Sequence, residues 1–177
     1  MEKLELVIPT IIDEKDIWDF KNEFFKSGKE EISGGAGIDD AVTYLEWHNK
    51  IIMAMSKDTC PENLVPATTL ISRRISDGKI VGIIQIRHYL NDLLLFRGGH
   101  IGYSVRPSER RKGYAKEMLR MTLEICSNMD INNVLITCID TNEGSRKTIL
   151  ANGGILENEV SHDGKIYQRY WINNERK

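Results

Sequence analysis

Hydrophobic positions first recur with a period of two. Leu4, Leu6 and Ile8 alternate with Glu5 and Val7 ahead of Pro9, which predicts an opening strand. The period then lengthens. Ile17, Phe20, Phe24 and Phe25 form one stripe of a helix from Asp13, its N-cap, to about Ser27, with Gly28 as the stop. Residues 28–37 carry Gly34, Gly35 and Gly37 and read as a mobile loop. A second helix is predicted from about Asp39 to Lys57, with Leu45, His48, Ile52 and Met55 facing inward. Residues 67–74 and 79–88 are rich in Thr, Ile and Val and flank Ser76-Asp77-Gly78, a hairpin. A loop at 89–92 leads to a strand at 98–105. The next helix carries Ala115, Met118, Leu119, Thr122 and Cys126 at helical spacing. A buried-type strand at 133–139 precedes a helix at 145–152 that ends at Gly153-Gly154. Strands at 155–160 and 165–172 close the chain around His162-Asp163-Gly164. The order β-α-α-β-β-β-α-β-α-β-β predicts one mixed α/β domain over residues 1–177, with a mostly antiparallel central sheet flanked by helices.

Composition narrows the function. The net charge is −2 over 177 residues, so neither nucleic acid nor an anionic membrane is an expected partner. No apolar run approaches the roughly 18 residues of a membrane span, and the charged start lacks the apolar region of a signal peptide. Cys60, Cys126 and Cys138 are odd in number and widely spaced, which predicts neither a disulfide framework nor a zinc site. His48, His88 and His162 show no metal spacing. A reducing, cytoplasmic location is expected.

Against this neutral background one stretch stands out. Residues 105–115 read Val-Arg-Pro-Ser-Glu-Arg-Arg-Lys-Gly-Tyr-Ala. Arg110, Arg111 and Lys112 sit where a helix begins, and the macrodipole disfavours cations at that end. The arrangement makes sense if an anion belongs there, bound by free backbone N–H groups. Gly113 has no Cβ, so a ligand can approach the main chain closely.

Arg110-x-x-Gly113-x-Ala115, opening a helix after a strand, resembles the pyrophosphate motif of the GNAT superfamily of N-acetyltransferases, Gln/Arg-x-x-Gly-x-Gly/Ala. Asn142-Glu143-Gly144-Ser145 is similar to the family's Asn-x-x-Ala/Ser segment, and Gly153-Gly154 stands where its last helix ends. The likeness covers residues 66–172, the expected acetyl-CoA-binding core. Residues 1–60 match by order of elements and would form the substrate side. The wording around Gly98–Arg110 resembles a subgroup of bacterial acetyltransferases.

The resemblance implies acetyl transfer from acetyl-CoA, without a metal, to a primary amine of a small molecule or peptide that attacks the thioester directly. It implies a β-bulge in strand 98–105, whose freed N–H, that of Tyr103, Ser104 or Val105, would bind the thioester oxygen. It implies a pantetheine wedge between that strand and 133–139. The N–H groups of Arg111, Lys112, Gly113, Tyr114 and Ala115 would hold the pyrophosphate beside Arg110. Asn142, Ser145 and Arg146 would meet the rest of the co-substrate. Many relatives place a tyrosine, the acid for the departing sulfur, at the position of Ile149 here.

His100 is the candidate base, with a hydrogen-bonded structural role as the alternative. Cys138 reads as a small buried hydrophobe. Trp18, Trp47 and the phenylalanines read as core. Glu30, Glu31, Asp39 and Asp40 read as a solvated loop, or as attraction for a cationic amine. The missing tyrosine keeps open a catalytically silent CoA-binding module. A nucleotide or nucleic-acid binder lacks any phosphate-loop fingerprint. The strand at 167–172 is a candidate edge for a homodimer.

Overall fold

The structure, a computed structural model, describes residues 2–28 and 31–175. The elements follow the predicted order: β1 (Leu4–Val7), α1 (Glu14–Lys26), α2 (Tyr44–Met53), β2 (Ala67–Arg74), β3 (Ile80–Arg87), β4 (Ile101–Val105), α3 (Tyr114–Asn128), β5 (Asn133–Ile139), α4 (Glu143–Leu150), β6 (Ile155–His162) and β7 (Lys165–Asn173). β1-β2-β3-β4 form one antiparallel sheet and β5-β7-β6 a second. The β6–β7 hairpin turns on Asp163 and Gly164, both at positive φ, as a two-residue turn with matching twist requires.

The first sheet is covered on both faces, which explains the nearly unbroken apolar run in β3. Ile84 and Ile86 face Met118, Leu119 and Tyr114 of α3. Ile80 and Ile83 face Phe20, Phe24, Trp47 and Ile51 of α1 and α2. Strand β7 lies between β5 and β6. Both its edges are therefore used, and the expected pairing of 167–172 across a dimer is not available; β6 is the edge strand.

Three other expectations change. The second helix is shorter and turned. Thr43 accepts a hydrogen bond from the Glu46 N–H at 3.2 Å as its N-cap, so the turn starts there. Tyr44, Trp47 and Ile51 form the buried stripe, while Leu45 and Ile52 are exposed. An aromatic stripe at i, i+3 and i+7 buries more area than the aliphatic one. His48 instead stacks on Tyr44 and bonds the Pro9 carbonyl. On α1, Phe25 is exposed, leaving Ile17, Phe20 and Phe24 inward. A π-helical turn, Leu94–Gly98, precedes β4 and takes the first residues expected in that strand.

The glycine-rich segment is packed. Ile32 and Ile38 are buried, and the Trp47 indole donates to the Gly35 carbonyl at 2.8 Å. Gly34, at φ +78, lies so close to β4 that a Cβ would sit 2.1 Å from the Gly102 carbonyl oxygen. Gly34→Ala must therefore push the segment off β4 as well as strain φ, a cost of about 1–3 kcal/mol from the backbone alone. Urea unfolding of this variant is expected to show at least that loss; unchanged stability would mean the contact is dispensable.

Candidate active site

β4 and β5 meet at one point and then part. The His100 N–H donates to the Leu135 carbonyl at 2.7 Å, and the Leu135 N–H returns a bond to His100 Nδ1 at 3.0 Å. An imidazole thus replaces a backbone carbonyl in the last rung between the sheets. Gly99, at φ +68, permits the approach, since a Cβ there would be 2.6 Å from the Leu135 oxygen. Beyond this rung the strands belong to separate sheets, which opens the wedge that the resemblance implied.

Strand β4 carries no bulge. Its pairing with β3 runs unbroken from Gly82↔Val105 to Ile86↔Ile101. The expected bulge is unnecessary, because divergence from β5 already frees one edge of β4. The Arg87 N–H donates to His100 O, and the Arg106 N–H donates to Val81 O. Alternation between these rungs turns the polar groups of Gly102 and Ser104 toward β3. Those of Ile101, Tyr103 and Val105 face the wedge. The Tyr103 and Val105 N–H groups therefore point away from β3, while the Ser104 N–H is committed to the ladder.

The loop after β4 is an N–H cradle. Arg111 and Gly113 have positive φ, +62 and +85, and Gly113 is the N-cap of α3. Among the described residues, no backbone carbonyl accepts from the N–H groups of Arg111, Lys112 or Gly113. The first N–H groups of α3 lack helical partners by construction. Main-chain donors therefore converge at a dipole's positive end, which fits a diphosphate.

The three cations divide their work. Arg110 lies over the Phe24 ring at 5.1 Å and donates from Nε to Val105 O at 3.3 Å. Lys112 turns away to pair with Glu109 at 2.8 Å. Arg111 has no ion-pair partner among the described residues. Glu109 is a buried carboxylate that also holds Arg74 and Lys79, each at 2.9 Å. Burial pushes its pKa up, but the bonds from Lys112 and Lys79 and the nearby charges outweigh this and bring it down to about 2. Glu109 thereby ties the end of β2, the β2–β3 turn and the cradle together.

A cleft of about 1120 Å3 runs from this cradle through the wedge to the β6–β7 hairpin. Of the residues expected from sequence, Tyr103, Ser104, Val105, Arg110, Arg111, Gly113, Tyr114, Ala115, Asn142 and Ser145 line it. His100, Lys112 and Arg146 are not among its lining residues. The Tyr114 side chain is buried, with its hydroxyl taking a bond from Arg74, so only its main chain faces the cradle. Asn142 caps α4, its Oδ1 accepting from the Ser145 N–H at 3.1 Å. The Tyr103 and Ser145 hydroxyls share a hydrogen bond at 3.0 Å. Burial raises the Tyr103 pKa to about 12, despite the opposing Ser145 bond. Cys138 lines the wall, its thiol pushed up by burial. Of the acidic candidates, Glu31 and Asp39 line the cleft and Asp40 does not; Glu30 lies outside the described residues. Among the described residues no group of His, Cys, Asp and Glu is arranged to hold a metal.

The His100 geometry does not support a base. Its Nδ1 lone pair is taken by Leu135, so the neutral ring carries its proton on Nε2. Burial, then the neighbouring Arg87 charge, lowers its pKa to about 4. Sequence reasoning missed Arg87 and Arg97, which line the cleft. The signal was available for Arg87: it follows Ile83 and Gln85 at strand spacing on an inward face.

The comparisons agree with this geometry. A family model described as an acetyltransferase (GNAT) domain matches residues 38–155. In shape the chain is similar to RimJ from Mycobacterium smegmatis in complex with CoA-disulfide, with a TM-score of 0.71, 17% identity and coverage of 96% of this chain and 81% of that one. It is similar to the microcin C7 self-immunity acetyltransferase MccE in complex with acetyl-CoA and AMP, at TM-score 0.69, 16% identity and 98% and 93% coverage. It is also similar to the ribosomal-protein-S5-alanine acetyltransferase from Vibrio fischeri, at TM-score 0.65, 17% identity and 97% and 92% coverage. At such identities the likeness speaks for the fold. No curated protein matches the chain. The family model spans more than half of the chain, and the chain belongs to the GNAT acetyltransferases.

The His100 assignment has a pH consequence. As pH falls below 6.5 the unfolded chain takes up a proton that folded His100 refuses until about 4. Stability is therefore lost across that window as pH drops. His100→Asn, whose carboxamide oxygen can accept from Leu135, is expected to lose about 1–3 kcal/mol less between those pH values than the native chain. It should also keep the pH–rate profile. Disappearance of an ionisation from that profile would instead make His100 the base.

Proposed function

We propose that the chain transfers the acetyl group of acetyl-CoA to a primary amine by direct attack on the thioester. The observation that carries this reading is the N–H cradle at Arg111–Ala115 continuous with the β4–β5 wedge. The cradle would hold the diphosphate, with Arg110 and Arg111 adding charge, and Asn142 and Ser145 would border the pantetheine arm. Bound there, acetyl-CoA supplies an activated acyl carbon and a thiolate leaving group. The Tyr103 and Val105 N–H groups are the donors for the carbonyl oxygen as it gains negative charge. The amine nitrogen bonds to the acyl carbon, the carbon–sulfur bond breaks with its electron pair on sulfur, and the amine's surplus proton leaves to water in the open cleft.

Tyr103 takes over at the sulfur. Ile149 is buried in the core and cannot donate. A phenol near 12 keeps its proton, so it acts by donating a hydrogen bond to the departing thiolate, which is protonated from solvent on release. Free thiols at all three cysteines fit a reducing compartment, and we place the protein in the cytoplasm.

Titration calorimetry with acetyl-CoA is expected to give micromolar binding well above that of ATP. Gly113→Glu should abolish it by placing bulk and negative charge where the diphosphate lies; unchanged affinity would refute the cradle. Tyr103→Phe should keep acetyl-CoA affinity and lower kcat by about 10²-fold in a thiol-release assay, the range for a positioned donor. A normal kcat would remove Tyr103 from the mechanism.

A further inference from the structure

Most arginines outside the cleft are tied to carboxylates, whereas those lining it, Arg110 and Arg111 at the cradle and Arg87 and Arg97 at the other end, have no ion-pair partner among the described residues. Arg106 is buried and pairs with Asp16 and Glu23. Arg73 pairs with Glu5 and Asp13, Arg74 with Asp77 and Glu109, and Arg169 with Glu157. Arg87 and Arg97 have no carboxylate partner among the described residues, yet both line the cleft.

Neither is a loose surface cation. Arg87 ends β3, and its Nη1 donates to the Gly98 and Gly99 carbonyls at 3.0 Å each. Its Nη2 lies beside Gly102, 3.5 Å from where a Cβ would stand, with no partner among the described residues. Burial lowers its pKa, the mark of a charge held away from water without a counter-charge. Arg97 sits one residue before Gly98, with its guanidinium 5.9 Å from the Tyr167 ring centroid. Its Nε is buried and without a partner. The Arg97 carbonyl takes the Thr137 hydroxyl at 2.7 Å, pinning the turn to β5. The Arg87 guanidinium is thus fixed to the turn before β4, and Arg97 projects from that same turn toward Tyr167. Burying unpaired charge is costly unless a ligand completes it.

That ligand is not the diphosphate. From Gly99 to Val105 the chain runs about 20 Å at strand spacing, and the cradle lies beyond. The arginines stand at the end of the cleft remote from the cradle, which leaves them for the acceptor rather than the co-substrate. Across the cleft, the segment packed on Gly102 contributes Glu31 and Asp39, and the hairpin contributes Asp163, which pairs with His162.

We propose that Arg87 and Arg97 form an anion subsite for the acceptor, so that the preferred substrate is an amine bearing a carboxylate or phosphate, such as a free amino acid or an aminoalkyl phosphate. This rests on the transferase reading of the same cleft. Two charge-assisted donors on a buried anion correspond to about 10- to 100-fold in affinity.

The test uses acceptors in matched pairs: amino acids against their amides, and aminoalkyl phosphates against the corresponding amino alcohols, with thiol release as readout. The expected result is a kcat/KM about 10- to 100-fold higher for the anionic member of at least one pair. The pair that responds identifies carboxylate or phosphate. Arg97→Gln should bring that ratio toward one while acetyl-CoA affinity by calorimetry stays native, and Arg97→Lys should restore part of it. Equal use of both members, or an undiminished ratio in Arg97→Gln, overturns the subsite. If acetyl-CoA binds but no amine is acetylated, the transferase reading fails by itself. The subsite is then judged on the CoA-saturated protein by thermal shift with acetate and inorganic phosphate. Saturable stabilisation lost in Arg97→Gln upholds it, and no saturable stabilisation overturns it.

Discussion

The site exists because two sheets are joined at a single rung. If β4 and β5 paired along their length, their N–H and C=O groups would satisfy one another and no ligand could enter. If they did not touch, nothing would fix the angle between them. The Gly99-His100 corner resolves this. Glycine lets the backbone of one sheet come against Leu135 of the other, and the His100 ring supplies the acceptor that a strand carbonyl would otherwise provide. The wedge, the free edge of β4 and the position of Tyr103 all follow from that hinge point.

Around it, charge is used mainly for scaffolding. Glu109 binds three cations, from β2, the turn before β3 and the cradle, and Arg106, just after β4, ties β3 to α1 through Ile80, Asp16 and Glu23. These buried networks are complete, and polar networks reward completeness because each unpaired member is costly at low dielectric. Lys112, conspicuous in sequence as a phosphate ligand, belongs to this scaffold. What remains at the cradle for a ligand is its main-chain donors with Arg110 and Arg111, neither of which is held by a carboxylate among the described residues.

Much of the fold could be read from the residues. The hairpins announced themselves through Asp-Gly turns and β-branched runs, and α3 through its apolar stripe. The cradle was legible because Gly113 and the misplaced cations conflict with helix electrostatics. What escaped depends on contacts distant in sequence. The inward face of α2 was misjudged because Trp47 is anchored by Gly35, a partner that periodicity cannot see. The π-helical turn before β4 has no apolar period, and the roles of His100, Arg87 and Arg97 arise only when β3, β5 and the turn at 98–99 meet. The bulge expected from family likeness proved unnecessary, since divergence of the sheets frees the same groups.

A diphosphate cradle built from peptide N–H groups leaves a faint mark in sequence. Any residue but proline carries such a donor, so positions 112, 114 and 115 can change side chain and still present the same N–H groups. The left-handed backbone at 111 and 113 and the helix that follows are what the cradle's geometry constrains. A fold shared at 17% identity and a TM-score of 0.71 leaves room for such a backbone-built feature to persist while the side chains around it change.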